Sequence, residues 1–317
     1  MHIEIVTPAR AGSTAGNRIT AERWAKILKD LGHRVSIVQK YGRSSADMLV
    51  VLHARRSHSS IARFRQHHSN KPIVLALTGT DIYRDIHRSA RARKSLELAD
   101  RIIVLQPHAL RYLTAGERKK ARVIYQSVER FRRQNKSSLG EHFDVCVIGH
   151  LRSVKDPFRA AMAARRLPRS SRIRINQVGG ALSENMKRRA LREMQINKRY
   201  RWLGELPRAG ALRVTAQSRL CVNSSRIEGG ANVLSESIVA GVPVLASRID
   251  GNVGVLGEDY PALFRYGDTG ELRDLILRAE TDVKFLNDLY KRTKKLAPLF
   301  NPTREERAWA RLLAELL

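Results

Sequence analysis

Glu228 and Glu236 flank the tetrapeptide Gly229-Gly230-Ala231-Asn232, which runs into an apolar stretch, Val233 to Ala240, closed by Gly241. The spacing puts one carboxylate just before a glycine loop and the other one turn into the helix this stretch predicts. Adjacent glycines carry no Cβ and let the backbone approach a ligand closely. The N–H groups at the helix start, expected from Gly230 to Val233, would point at that ligand and favour an anion. A carboxylate beside such a site is poor for phosphate and good for hydroxyls, so the combination suits a ligand carrying both, such as a nucleotide sugar. The same pattern also fits an ordinary βαβ crossover with a glycine turn. Arg152 and Lys155 form a second set, in Gly149-His150-Leu151-Arg152-Ser153-Val154-Lys155. If Lys155 begins a helix, both cations face one diphosphate, the arginine as a fork and the lysine as a point charge. The alternative is a surface turn.

Such groups need elements to hold them. The pattern predicts strands over 3–7, 35–38, 47–53, 72–77, 101–105 and 123–125, with helices over 20–31, near 59–67 and over 88–98. Strands alternating with helices argue for an open parallel sheet, which binds ligands at the carboxyl ends of its strands. One rim would then carry the loop 8–18, His53 to Arg56 and Thr78 to Asp81. The polar stretch Ser127 to Glu141 reads as an interdomain linker. After it, Phe143-Asp144-Val145-Cys146-Val147-Ile148 opens a second strand–loop–helix series, with further strands at 172–178, 201–203, 220–222 and 242–246. The expected layout is an α/β domain over 1–130, a linker over 131–140, a second α/β domain over 141–300 and a C-terminal helix over 301–317. The stretch from Asp282 onward reads as helical, interrupted at Pro298 and Pro302.

The chain's 317 residues suffice for two ordinary domains, and a 43% hydrophobic fraction is that of a globular protein. No apolar run approaches the roughly 18 residues that span a bilayer, and MHIEIVTP reads as a strand, not a leader. The chain is expected to be cytoplasmic. Cys146 and Cys221 each fall in an expected buried strand, as core residues. With 59 Lys and Arg against 30 Asp and Glu, the net charge of +29 attracts anions. The basic residues are spread along the chain, aromatics are 6%, and no nucleic-acid motif is present, so no stable nucleic-acid partner is expected. No Asp-x-Asp pair and no cluster with metal-ligand spacing occurs, so no metal or other cofactor is expected. Charge on a leaving diphosphate would fall to Arg152, Lys155 and backbone N–H groups.

The second half resembles the nucleotide-sugar domain of GT-B glycosyltransferases of the family 4 type, whose signature is Glu-x7-Glu followed by a Gly-x-Pro-Val strand. Here that is Glu228 to Glu236 and Gly241-Val242-Pro243-Val244. The resemblance implies two Rossmann-like domains with parallel sheets facing a central cleft, the C-terminal helix packing back across the domain boundary. It implies that Glu228 lies beside the donor sugar, that Glu236 holds the ribose hydroxyls, and that the backbone of Gly229, Gly230, Ala231 and Asn232 meets sugar hydroxyls and phosphate. The family's Gly-Arg-Leu-x3-Lys becomes Gly149-His150-Leu151-x3-Lys155. Lys155 matches, His150 replaces the arginine, and Arg152 stands two residues on. Leu203 to Leu206 matches the segment near the nucleobase. Glu228, Arg152 and Lys155 are the expected catalytic residues, and Leu206 joins the donor-binding set.

Blocks along nearly the whole chain, among them AGNRITA, LHARRSH, ALTGTD, GHLRSVKDP, RYRWLGELPRA and SSRIEGGANV, resemble in order the selenosugar synthases, the glycosyltransferases of selenoneine biosynthesis. The resemblance implies transfer from UDP-N-acetylglucosamine or UDP-glucose to selenophosphate, with UDP and phosphate released. Selenophosphate is a soft, already anionic nucleophile that needs little help from a base. It needs cations and hydroxyls, and the first domain's rim supplies Asn17, Arg18, His53, Arg55, Thr78 and Thr80 as candidate acceptor-binding residues. Arg55 and Arg56 in extended structure would point to opposite sides, and Arg55 is preferred. Other candidates have a second reading: Asn17 and Arg18 as caps of the first helix that face solvent, and His53 as a buried hydrogen-bonded core residue; Asp81 reads as an N-cap or as positioning the acceptor or donor sugar.

Overall fold

The computed structural model describes residues 1–129, 131 and 141–316. The expected linker, 131–140, lies outside the described residues apart from Phe131. By its internal contacts the chain divides into two units. One comprises Met1–Ser127, Glu228–Gly230 and Asn301–Leu317, and the other Val128–Ile227 and Ala231–Phe300.

The first unit is a six-stranded parallel sheet: β1 (His2–Val6), β2 (Arg34–Val38), β3 (Met48–Leu52), β4 (Ile73–Leu77), β5 (Arg101–Val104) and β6 (Ala121–Val123), in the order β2-β1-β3-β4-β5-β6. Continuous apolar runs such as Met48-Leu49-Val50-Val51-Leu52 arise because both faces of the sheet are covered. Leu49 and Val51 pack with Ile61 and Phe64 of helix α2 (His58–His67), while Met48, Val50 and Leu52 pack with Trp24 and Leu28 of helix α1 (Gly16–Asp30). Helix α1 starts four residues before the expected position, so Asn17 and Arg18 lie in its first turn. Its N-cap is Ala15, with no side-chain cap. The expected helix over 88–98 is broken. A π-helical turn (Asp81–Asp85) runs into α3 (Ile86–Arg88), and Ser89 then caps α4 (Ala90–Leu98) by accepting from the N–H of Ala92. A short helix, α5 (Ala115–Lys120), leads into β6.

The second unit repeats the plan with β7 (Phe143–Ile148), β8 (Ile173–Val178), β9 (Tyr200–Trp202), β10 (Leu220–Asn223), β11 (Val244–Ser247) and β12 (Leu263–Phe264), all parallel, in the order β12-β11-β10-β7-β8-β9. Cys146 and Cys221 face each other in the β7–β10 register, buried and free. The connecting helices are α6 (Arg159–Ala164), α7 (Glu184–Ile196), α8 (Arg208–Gln217), α9 (Asn232–Val239), α10 (Asp250–Leu256), α11 (Thr269–Thr281) and α12 (Val283–Leu296).

The final helix, α13 (Pro302–Ala314), follows the second unit in the chain and belongs to the first. The helical stretch from Asp282 onward is interrupted as expected: α12 ends at Leu296, a 3₁₀ turn (Ala297–Phe300) carries Pro298, and Pro302 opens α13, a position where its missing N–H costs nothing. Trp309 packs edge-on against Trp24 of α1 at 5.0 Å, both fully buried. Buried Glu305 accepts from Trp24 Nε1 at 2.7 Å and from the Ser127 N–H at 2.8 Å, and pairs with Arg23 at 3.2 Å. Among the described residues no helix is long and apolar enough to cross a membrane.

Candidate active site

In the second unit the chain leaving β7 stays paired with the chain leaving β8. Gly149 donates its N–H to Val178, Leu151 donates to Gly180, and Leu151 bridges Ala181. The two backbones touch at Gly179, where a Cβ would stand 2.1 Å from the Gly149 carbonyl oxygen and φ is +142°. Only glycine fits there. Beyond Leu151 the chain makes a 3₁₀ turn, Ser153–Lys155, ended by Asp156 in the left-handed region. Lys155 therefore does not begin a helix. The next helix, α6, starts at Arg159, so Arg152 and Lys155 are presented by a loop, Arg152 exposed and Lys155 half-buried. This loop is stitched to the segment after β10. The Ser224 hydroxyl donates to the carbonyl of Asp156 at 2.8 Å and contacts that of Lys155 at 3.3 Å, and the Arg226 N–H donates to Val154. The ends of β7 and β10 thus hold the two cations beside the chain that leads to Glu228.

Helix α9 begins at Asn232, with Ala231 as an N-cap that supplies no side-chain acceptor. The helical stretch expected over Val233–Ala240 starts one residue earlier. Glu228 and Glu236 are both buried, and Glu236 lies in the second turn of α9, where Arg208 Nη2 reaches its Oε1 at 3.4 Å. Leu206 precedes α8, half-buried. The two glycines are also packed closely within the chain. Glu228–Gly230 groups with the first unit, and a Cβ on Gly229 would stand 2.5 Å from the Thr78 carbonyl, one on Gly230 2.7 Å from Leu105 Cβ. These glycines permit close approach to another stretch of this chain, a contact that sequence alone cannot distinguish from approach to a ligand.

In the first unit, His53, Arg55, Thr78 and Thr80 gather at the carboxyl ends of β3 and β4. Asp81 makes this possible. Fully buried, its carboxylate accepts from the N–H groups of Thr78, Gly79 and Ala54, clamping the two loops together. It lies inside the π-helical turn and is a clamp, not the N-cap that the sequence offers as an alternative. His53 is buried, with φ of +76°, a left-handed conformation that costs a non-glycine residue on the order of 1 kcal/mol or more. Its Nδ1 accepts from the Arg56 N–H at 3.4 Å, which leaves the proton on Nε2, 3.1 Å from Thr80 Oγ1. Burial lowers the His53 pKa, with Asp81 opposing, so the ring is neutral near pH 7.

Arg55 and Arg56 lie in a turn and not in extended chain, so the alternation argument does not apply. Arg55 instead pairs with buried Asp85, Nε to Oδ2 at 2.8 Å, and Arg84 reaches the other oxygen at 3.0 Å. Burial would raise the Asp85 pKa, but the two guanidiniums outweigh it and hold the carboxyl below its ordinary value. Arg18 pairs with Glu22 one turn along α1 at 2.6 Å, and the Asn17 carbonyl contacts the Thr7 hydroxyl at 3.4 Å. Neither caps the helix. Asp85, Arg84 and Arg208 were not singled out by sequence. The clue for Asp85 is its place four residues after Asp81, one helical turn along. Among the described residues no group of three or more His, Cys, Asp or Glu is arranged to hold a metal ion.

Residues 128–296, just over half of the chain, match the family described as glycosyl transferases group 1. No curated protein matches the chain in sequence. Among solved structures it is similar to HepE of Anabaena in complex with UDP, at 15% identity and a TM-score of 0.79, over 99% of this chain and 100% of that one. It is similar to sucrose-phosphate synthase from Thermosynechococcus elongatus at 17% identity and a TM-score of 0.78, over 99% and 98% of the two chains. It is also similar to a glycosyltransferase from Rickettsia africae at 13% identity and a TM-score of 0.76, again over 99% and 98%. At these identities the likeness shows the fold, which is GT-B. The matched residues take in Arg152, Lys155, Glu228 and Glu236, and the chain belongs to the glycosyl transferases group 1 family.

Proposed function

We propose that this chain transfers a sugar from a UDP-sugar, UDP-N-acetylglucosamine or UDP-glucose, to selenophosphate. The bond from sugar C1 to the diphosphate oxygen breaks, a C1–Se bond forms, and UDP leaves with the electron pair. Water then splits the Se–P bond, releasing phosphate and the selenosugar. The UDP and UDP-glucose complexes of HepE support a UDP-sugar donor. Glu236 takes the ribose hydroxyls and Glu228 the sugar. Arg152, Lys155 and the first N–H groups of α9 take the diphosphate, whose growing charge they stabilise as it departs.

One observation carries the choice of acceptor. The acids and the imidazole carried by the loops after β3 and β4 are all engaged: Asp81 with three N–H groups, Asp85 with two guanidiniums and His53 with Arg56 and Thr80. A hydroxyl acceptor would gain from a free base on these loops, with Glu228 given to the donor sugar, whereas an anionic selenium nucleophile needs none. The test is UDP release from UDP-N-acetylglucosamine and from UDP-glucose, with and without selenophosphate. Release that requires selenophosphate is expected. Release driven by a sugar or alcohol hydroxyl, with no response to selenophosphate, would overturn the reading.

A further inference from the structure

Two arginines from different loops share one buried carboxylate in the first unit. Arg55 follows β3, Arg84 lies in the π-helical turn after β4, and each bonds Asp85 through Nε. Asp85 is 4% exposed, while the arginine side chains are 44% and 45% exposed. The Nη nitrogens of both have no hydrogen-bond partner among the described residues. The set carries two positive charges against one negative. Thr80 stands alongside through His53, whose Nε2 lies 3.9 Å from Asp85 Oδ2 and 3.1 Å from Thr80 Oγ1. Because His53 holds its proton on Nε2 and donates it to Thr80, the Thr80 hydroxyl proton is left to donate elsewhere.

We propose that Arg55 and Arg84 form a two-guanidinium subsite for a small tetrahedral phospho-anion, with Thr80 donating a further hydrogen bond and Asp85 as the positioning residue. The inference rests on the proposed function, in which that anion is the phosphoryl group of selenophosphate. It adds Arg84 and Asp85 to the acceptor residues. A lone surface arginine is too mobile to fix such an anion. Here the buried carboxylate holds both guanidiniums by their Nε edges, and the outer Nη pairs are what a tetrahedral oxyanion bonds. The arrangement also explains why a negative charge sits beside an anion site. Asp85 lowers the net attraction, and in return it fixes the fork geometry.

The experiment combines steady-state kinetics with calorimetric binding of inorganic phosphate to the whole chain. Arg84→Ala is expected to raise the KM for selenophosphate at least about 10-fold, since a charge-assisted hydrogen bond is lost, and to leave the KM for the UDP-sugar within about 2-fold. Arg84→Lys should recover part of this loss, because lysine restores charge without the fork. Asp85→Asn separates positioning from charge. Simple electrostatics predicts tighter anion binding when a negative charge is removed, whereas the positioning role predicts weaker binding and a higher KM. Arg93→Ala, on the exposed side of α4, is the control for loss of general positive charge. If the wild type uses selenophosphate and Arg84→Ala has an unchanged KM for it, the subsite is wrong and the proposed function stands. If the wild type ignores selenophosphate, the proposed function fails, and calorimetry then decides the subsite alone. Phosphate binding lost in Arg84→Ala and kept in Arg93→Ala supports it. Binding absent from the wild type, or equal in all variants, overturns it.

Discussion

Glu305 holds the last helix to the first unit, and removing its carboxylate should destabilise that unit by a calculable amount. One oxygen accepts from Trp24 Nε1 and the other from the Ser127 N–H, both buried. Arg23, the third partner, keeps 11% exposure and regains water when the pair is broken. In Glu305→Ala two buried N–H donors lose their acceptor, at about 1–3 kcal/mol each, so the loss is about 4 kcal/mol. That is a large part of the roughly 5–15 kcal/mol by which a domain is stable. Glu305→Gln retains one acceptor oxygen and turns an N–H toward the other donor, so about half the loss, roughly 2 kcal/mol, is expected. Urea unfolding followed by tryptophan fluorescence reads this directly, since Trp24 and Trp309 both lie in the cluster. With a slope of about 2 kcal/mol/M, the midpoint should fall by about 2 M for alanine and about 1 M for glutamine. A fall below about 0.3 M in Glu305→Ala would refute the buried acceptor. Equal falls for the two variants would show that charge, and not hydrogen bonding, is what Glu305 supplies.

Lys155→Ala and Glu236→Ala should each cut UDP-sugar turnover about 100-fold or more in a UDP-release assay, as expected for a residue that meets charge or orients the donor; turnover within a few-fold of wild type would remove either residue from the site. His53 titrates below its ordinary value because it is buried, so its contribution to stability is complete above about pH 6.5 and is lost as the pH falls through the folded value. In thermal melts from pH 7.5 to pH 5, the wild type's advantage over His53→Asn, a variant that tolerates the left-handed backbone, should narrow on acidification; a constant or widening gap would contradict a neutral buried ring. Gly179→Ala drives a Cβ into the Gly149 backbone at a φ that L residues rarely adopt. It should cost about 3 kcal/mol or more, and a urea midpoint like that of wild type would show that the paired chains after β7 and β8 are misplaced.

The alternation of strands and helices is legible because burial on both sheet faces leaves unbroken apolar runs, and because Trp24, Ile27 and Leu28 repeat at helical spacing. Ends of elements are less so. Gly, Ser and Thr before residue 20 look like loop, yet α1 starts at Gly16 without any capping side chain. In the site, the residue types at 152, 155, 228 and 236 announce themselves, but the geometry does not. His53 takes a left-handed backbone, and Arg55 pairs with Asp85 across 30 residues; no local pattern encodes either. The same holds for Glu305 and Trp24, which are 281 residues apart. Gly229 and Gly230 show the ambiguity most plainly, since a missing Cβ reads the same whether a ligand or the chain itself fills the space.

The mass of the product tests most directly whether selenophosphate is the acceptor. The chain should be incubated with UDP-N-acetylglucosamine or UDP-glucose and selenophosphate, and the sugar fraction analysed by mass spectrometry. A new species with the selenium isotope pattern is expected at the mass of the sugar carrying selenium at C1. UDP formation accompanied only by free sugar or an oxygen-linked glycoside would contradict it.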